Sequence, residues 1–100
     1  MYRHRTIETV QYGKFDEYVD LQRQQNALCR ENGWPEAKFF MPTPGALNQF
    51  VIEVEYDSLA DYEEDSRAAL SDTRFMELER QQSALVLDGT ARSELLMSID

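Results

Sequence analysis

Little in this sequence can be cross-linked, cradle a phosphate or enter a bilayer. It has one cysteine, Cys29, so an internal disulfide framework and a thiolate zinc site are both excluded. The glycines at 13, 33, 45 and 89 lie too far apart for a phosphate loop and suit turns and helix ends instead. Nowhere does a run of about 18 consecutive apolar residues occur, the length a membrane-spanning helix requires. The opening Met1-Tyr2-Arg3-His4-Arg5 leads into no apolar targeting segment. These absences predict a soluble, cytoplasmic protein without a membrane partner. Basic residues are scarce as well: 10 Lys and Arg against 19 Asp and Glu leave a formal net charge of −9. Such a field opposes phosphate backbones, so nucleic acid is not an expected partner.

A chain of 100 residues has room for one domain and one modest core. Roughly 60–65% of the unfolded surface of so short a chain is buried on folding, and a partner subunit would help. Residues 1–100 are expected to form a single domain, because no linker of biased composition, long repeat or charged tail divides them.

Residues 2–10 mix Thr6, Ile7, Thr9 and Val10 with charged neighbours, without a helical stripe, and predict a first strand closed by Tyr12-Gly13. Over 14–32, Phe15, Tyr18, Val19, Leu28 and Cys29 recur at helical spacing, with Asp16 and Glu17 in the first turn and Gly33 at the exit. Pro35 stops that helix, and Lys38-Phe39-Phe40-Met41 predicts a short strand ended by Pro42 and Pro44-Gly45. Residues 50–56 alternate, putting Phe50, Ile52, Val54 and Tyr56 on one face and Val51, Glu53 and Glu55 on the other. Ser58 with Asp61 forms a short-armed capping box for a second helix, and a kink is expected near Asp72. The apolar pattern resumes through Phe75, Leu78 and Leu85 until Asp88-Gly89, and 91–99 alternates as a last strand.

The order βαββαβ is that of the ferredoxin-like α+β split unit, a four-stranded antiparallel sheet with both helices on one face. The first strand then lies between the third and fourth, so Arg3 and Arg5 come beside Glu53 and Glu55 on one side and Arg92 and Glu94 on the other. The facing of that strand is open, since Tyr2, His4, Thr6 and Val10 suit the same side equally well.

The run Gly45-Ala46-Leu47-Asn48-Gln49, the strand behind it and Asp57-Ser58-Leu59-Ala60-Asp61-Tyr62, with Arg67-Ala68-Ala69-Leu70 following, resemble the second half of a NIPSNAP-family domain. Asn48-Gln49 before the strand and Tyr56-Asp57-Ser58-Leu59 after it are the specific parts; length and element order extend the likeness over nearly the whole chain. Where such proteins often carry Arg-Thr-Tyr in the first strand, this one has Arg5-Thr6-Ile7 and lacks the phenol. The resemblance implies a dimeric α/β barrel, a homodimer with its two sheets face to face. It carries over no catalytic residues and implies roles in binding or trafficking.

His4 is the one histidine, the side chain whose ordinary pKa makes it a proton switch near neutral pH. With Arg5 and Glu53 it forms the candidate proton-handling or anion-binding group, Glu8 and Glu55 being the other candidate carboxylate partners for a histidine base. Tyr18, Trp34 and Phe40 are candidate walls of a ligand pocket, although large aromatic rings in a small domain ordinarily form core. No cofactor and no metal is expected, because His4, Glu53 and Glu55 have no recognised ligand spacing. Cys29 has no histidine near it in sequence and is expected to be buried filler. The favoured function is a homodimer, formed through the Val51, Glu53 and Glu55 face, that binds a small ligand or a protein partner. The alternative is a cofactor-independent monooxygenase or isomerase, like those of antibiotic biosynthesis, acting on an aromatic or polyketide-like molecule. A third reading makes the charged ladder an interface device of a structural subunit.

Overall fold

In the computed structural model, which describes residues 1–45 and 47–99, four strands and three helices follow one another. They are β1 (Tyr2–Thr9), α1 (Phe15–Glu31), β2 (Lys38–Phe40), β3 (Gln49–Tyr56), α2 (Leu59–Ser71), α3 (Thr73–Ser83) and β4 (Arg92–Met97). Ala46, inside the stretch that carries the family resemblance, and Asp100 lie outside the described residues. The strands form one antiparallel sheet in the order β2-β3-β1-β4. This is the expected α+β, ferredoxin-like arrangement, with the helices on one face.

The local signals act where expected. Acidic Asp16 and Glu17 sit in the first turn of α1 and Arg30 in its last, each opposing the helix dipole. Gly33 ends it at φ +72°, a left-handed conformation that a side chain would strain, and Trp34 N–H reaches back to the Cys29 carbonyl at 2.9 Å. Ser58 Oγ accepts the Asp61 N–H at 3.1 Å and so caps α2.

One expectation needs correction. Asp72 does not kink a continuous helix but breaks it: its backbone is extended (φ −90°, ψ 120°), and its Oδ1 accepts the Phe75 N–H at 2.8 Å as the cap of α3. A side chain that satisfies an orphan donor of the next helix makes a new start cheaper than a bend.

Register is set by β1. Arg3 stands opposite Glu55 and Leu96, His4 opposite Val54 and Leu95, and Arg5 opposite Glu53 and Glu94. Side chains alternate along a strand, so β1 sends Arg3, Arg5 and Ile7 to the open face and His4, Thr6 and Glu8 toward the helices. The core lies at one end of that covered face, where Val10, Tyr18, Leu21, Phe50 and Leu85 cluster. Phe50 is its hub, meeting the rings of Tyr18 at 5.0 Å, Phe39 at 5.3 Å and Phe15 at 6.0 Å. Elsewhere the burial is lighter: α2 has no buried residue, and β4, at the edge of the sheet, is exposed along its whole length.

Candidate functional site

Between the helices and the covered face of the sheet, a cavity of about 300 Å³ opens. Its floor is His4, Thr6 and Glu8 of β1 with Ile52, Val54 and Tyr56 of β3. Its roof comes from Gln22, Gln25 and Cys29 of α1, Asp65 and Ala69 of α2, and Met76 and Glu79 of α3. The volume lies at the small end of ligand pockets, which run to roughly 300–1,000 Å³.

Between cavity and core runs a buried polar network. Three glutamines, Gln22, Gln25 and Gln82, are among the most buried residues of the chain. Gln22 donates to Tyr18 Oη at 2.9 Å, and the Tyr18 hydroxyl donates a short hydrogen bond to Glu8. Gln22 also donates to Gln82 Oε1 at 3.1 Å, Gln82 to Gln25 Oε1 at 3.1 Å, and Gln25 to Glu79 Oε2 at 3.1 Å. Buried amides cost stability unless their groups are paired, and this chain of bonds meets most of that demand.

Burial shapes the titration of the site. It raises the Glu8 pKa, the Tyr18 hydrogen bond pulling the other way. Burial, reinforced by Glu8, holds the Tyr18 phenol protonated far above its usual range. Tyr56, which donates to Asp65, is raised in the same way, first by burial. The Cys29 thiol is pushed up to about 11, chiefly by burial, and a thiol at that pKa is a poor nucleophile at neutral pH. His4 moves the other way: burial lowers its pKa and keeps the imidazole neutral. Its ring leans on Tyr62, with centroids 5.4 Å apart.

The structure separates the residues that sequence grouped. His4 lines the cavity, whereas Arg5 and Glu53 pair with each other at 2.8 Å on the opposite face of the sheet. Neighbours along a strand point apart, so His4 and Arg5 do not share a site. Of the candidate walls, Tyr18 is fully buried behind the cavity, with its hydroxyl in the network. Trp34 stands edge-on to Phe75 at 6.2 Å beside a second, surface pocket. Phe40 is half exposed on the open face, and Phe39 takes the inward position on β2. Glutamine usually marks surface, which is why Gln22, Gln25 and Gln82 escape a first reading of the sequence. Helical spacing from Tyr18 and Leu21 puts Gln22 and Gln25 on the buried side of α1, and that signal was available. Among the described residues, no group of three or more His, Cys, Asp or Glu is placed to hold a metal ion.

The model of the NIPSNAP family matches residues 6–98. This chain belongs to the NIPSNAP family. Among solved structures, a NIPSNAP family protein from Agrobacterium tumefaciens superposes with a TM-score of 0.81 at 22% identity, covering 99% of this chain and 93% of the other. An antibiotic biosynthesis monooxygenase matches with a TM-score of 0.78 at 14% identity over 100% of both chains. SnoaB, a cofactor-independent oxygenase from Streptomyces nogalater, matches with a TM-score of 0.74 at 15% identity, covering 99% of this chain and 93% of its own. At these identities the likeness is one of fold. No curated protein matches the chain significantly. The NIPSNAP domain thus shares the ferredoxin-like frame of the monooxygenases, and its own residues decide what the cavity does.

Proposed function

We propose that this NIPSNAP chain is a homodimer that binds a small molecule in the cavity between helices and sheet. The observation that carries the reading is the cavity itself, about 300 Å³ of space with apolar walls on one side and ordered hydrogen-bonding groups on the other. That combination is the usual make-up of a ligand pocket. Dimerisation is supported by the open face, where Ile7, Val51, Phe40 and Leu96 flank the ion pairs of Arg3 and Arg5. Arg3 Nε is buried there without a hydrogen bond, 3.6 Å from Glu53 Oε1. A soluble domain seldom leaves such a face and an all-exposed strand β4 uncovered.

Two measurements test it. Sedimentation velocity of the purified protein should give a dimer that Val51→Asp dissociates without loss of helical circular dichroism; a wild-type monomer at every concentration overturns the assembly. A fragment library followed by protein NMR should move resonances around Gln22, Gln25 and Cys29, and a silent cavity overturns ligand binding.

The second reading, a cofactor-independent oxygenase, is favoured by the fold shared with SnoaB and by a neutral His4 imidazole free to take a proton from a ring-bearing substrate. Oxygen uptake with hydroxylated aromatic substrates, lost in His4→Gln, would establish it; no uptake with any of them counts against it.

A further inference from the structure

The polar network has a direction. Both hydrogens of Gln22 Nε2 point outward, one toward Tyr18 and the other toward Gln82. The first arm ends on the carboxylate of Glu8, and the second passes through Gln82 and Gln25 to the carboxylate of Glu79. Gln25 uses its remaining hydrogen on the Phe75 carbonyl at 3.2 Å. The network residues that border the cavity, Glu8, Gln22, Gln25 and Glu79, therefore have no N–H left to offer a ligand. What remains is acceptor. Gln22 is only 3% exposed, and among the described residues its side-chain hydrogen bonds are the two that its Nε2 donates, which leaves Oε1 to the cavity that the residue lines. Tyr18 Oη touches both Gln22 and Glu8, so the free amide oxygen and the carboxylate lie within one side chain of each other.

The charge around this point has one sign. Glu8, Asp65 and Glu79 border the cavity, and none of its lining residues is Lys or Arg. The adjoining surface pocket, about 500 Å³, adds Asp57, Asp61 and Glu64 near Trp34, while its Glu55 is paired with Arg3 and Met1 brings the chain's N-terminus to its rim. With a net charge of −9, the protein as a whole attracts cations and repels anions. A ligand that donates hydrogen bonds and carries positive charge answers both features. One that carries a carboxylate or phosphate could take hydrogen bonds from Thr6 and Ser66 but would face Glu8, Asp65 and Glu79 with no Lys or Arg in the lining.

We propose that the cavity selects small organic cations, specifically a protonated amine on an apolar, ring-sized body, with the ammonium donating to Gln22 Oε1 and the Glu8 carboxylate. The proposal rests on the ligand-binding reading above and adds the chemical class. The apolar body lies against Phe39, Ile52, Val54 and Met76. The ammonium supplies the donor that the head of the network lacks, and both arms then run unbroken from ligand to carboxylate.

Three probes with the same ring separate the outcomes: phenethylammonium, phenethyl alcohol and hydrocinnamate, each titrated into isotope-labelled full-length protein. Phenethylammonium should move the side-chain amide resonances of Gln22 and Gln25 and bind at least about tenfold more tightly than the alcohol, the difference expected of one charge-assisted hydrogen bond. Hydrocinnamate should leave them in place. If the alcohol or hydrocinnamate binds as well as the ammonium, cation selection is overturned while the cavity stands as a ligand site. If none of the three moves the glutamines, or if the ammonium moves only Trp34 and its acidic neighbours, both readings of the cavity fall. Glu8→Gln keeps an acceptor for Tyr18 but removes the charge, and should bring the ammonium preference to within about threefold of the alcohol. An undiminished preference in the folded variant overturns the proposal. Should Glu8→Gln not fold, Glu79→Gln removes the charge from the other arm and is read in the same way.

Discussion

The two faces of the sheet are made of the same strands yet handle polar groups in opposite ways. On the open face, Arg3 and Arg5 neutralise Glu53, Glu55 and Glu94 within 2.8–3.6 Å. Most of those side chains keep part of their surface in water, where such pairs contribute little to stability. On the covered face, none of the described residues lining the cavity is an arginine or lysine; a phenol and a neutral amide carry the hydrogen bonds to Glu8 and Glu79 instead. Paired charges make a surface self-sufficient or ready for a symmetric partner. Carboxylates reached only by neutral donors leave negative potential in a sheltered space, and that is where a ligand gains most.

The contrast is broken most forcefully by cutting into the shared core. Phe50→Ala should cost about 3–5 kcal/mol in denaturant melts, because it removes the ring that Phe15, Tyr18 and Phe39 meet. Val51→Ala, one residue along on the open face, should cost less than half as much in the unassociated chain. Equal losses would mean that the open face is a second core.

Next in size is the network. Gln82→Leu leaves one of the two Gln22 side-chain N–H groups without an acceptor and Gln25 Oε1 without a donor, and should destabilise by about 1–3 kcal/mol. A neutral result would show that water replaces the amide at no cost. Arg5→Met on the open face should remove only about 0.2–1 kcal/mol from the folding of one chain, since Glu53 still has Arg3 within reach. Its larger effect should be on self-association, read by sedimentation.

The smallest effect is a slope. Because burial raises the Glu8 pKa, the folded chain holds that proton to higher pH than the unfolded chain, whose ordinary value is 4.5. Below that value the group favours neither state. As pH rises through the raised folded value, ionisation costs stability that the unfolded chain does not lose. Glu8→Gln removes this cost, so its melting temperature should gain on wild type as pH climbs from about 4.5 toward neutrality. His4, lowered by burial, works in reverse and weakens the fold as pH falls below 6.5. A variant that tracks wild type across the whole range would show Glu8 to be as solvated as a surface carboxylate.

Much of the frame was legible in the residues. Alternation from Phe50 to Tyr56 named the two faces of β3, Ser58 marked the start of α2, and strand order put β1 beside β3, whereas the register and facing that pair Arg3 and Arg5 with Glu55 and Glu53, and set Arg92 opposite Ile7, were open in the sequence. The candidate site was harder. His4 and Glu8 were visible as titratable groups, but only the facing of β1, open in the sequence, puts them under the helices and sends Arg5 away. Phe39 and Phe40 are chemically identical neighbours, and parity in a strand of three residues decides which is inside. The glutamines hid behind their ordinary preference for water.

By itself the sequence determined what is local and periodic: where the chain turns, which residues share a strand face, where helices begin, and a charge that turns phosphates away. These follow from backbone sterics and from spacings that a linear pattern carries in full. Tertiary structure decided which face the helices cover and which of their residues meet the sheet, and hence that a cavity exists with Gln22 at the head of its hydrogen bonds. Those outcomes depend on contacts between residues as far apart as Gln22 and Gln82, where packing and shared hydrogen bonds, not neighbouring residues, set the free energy.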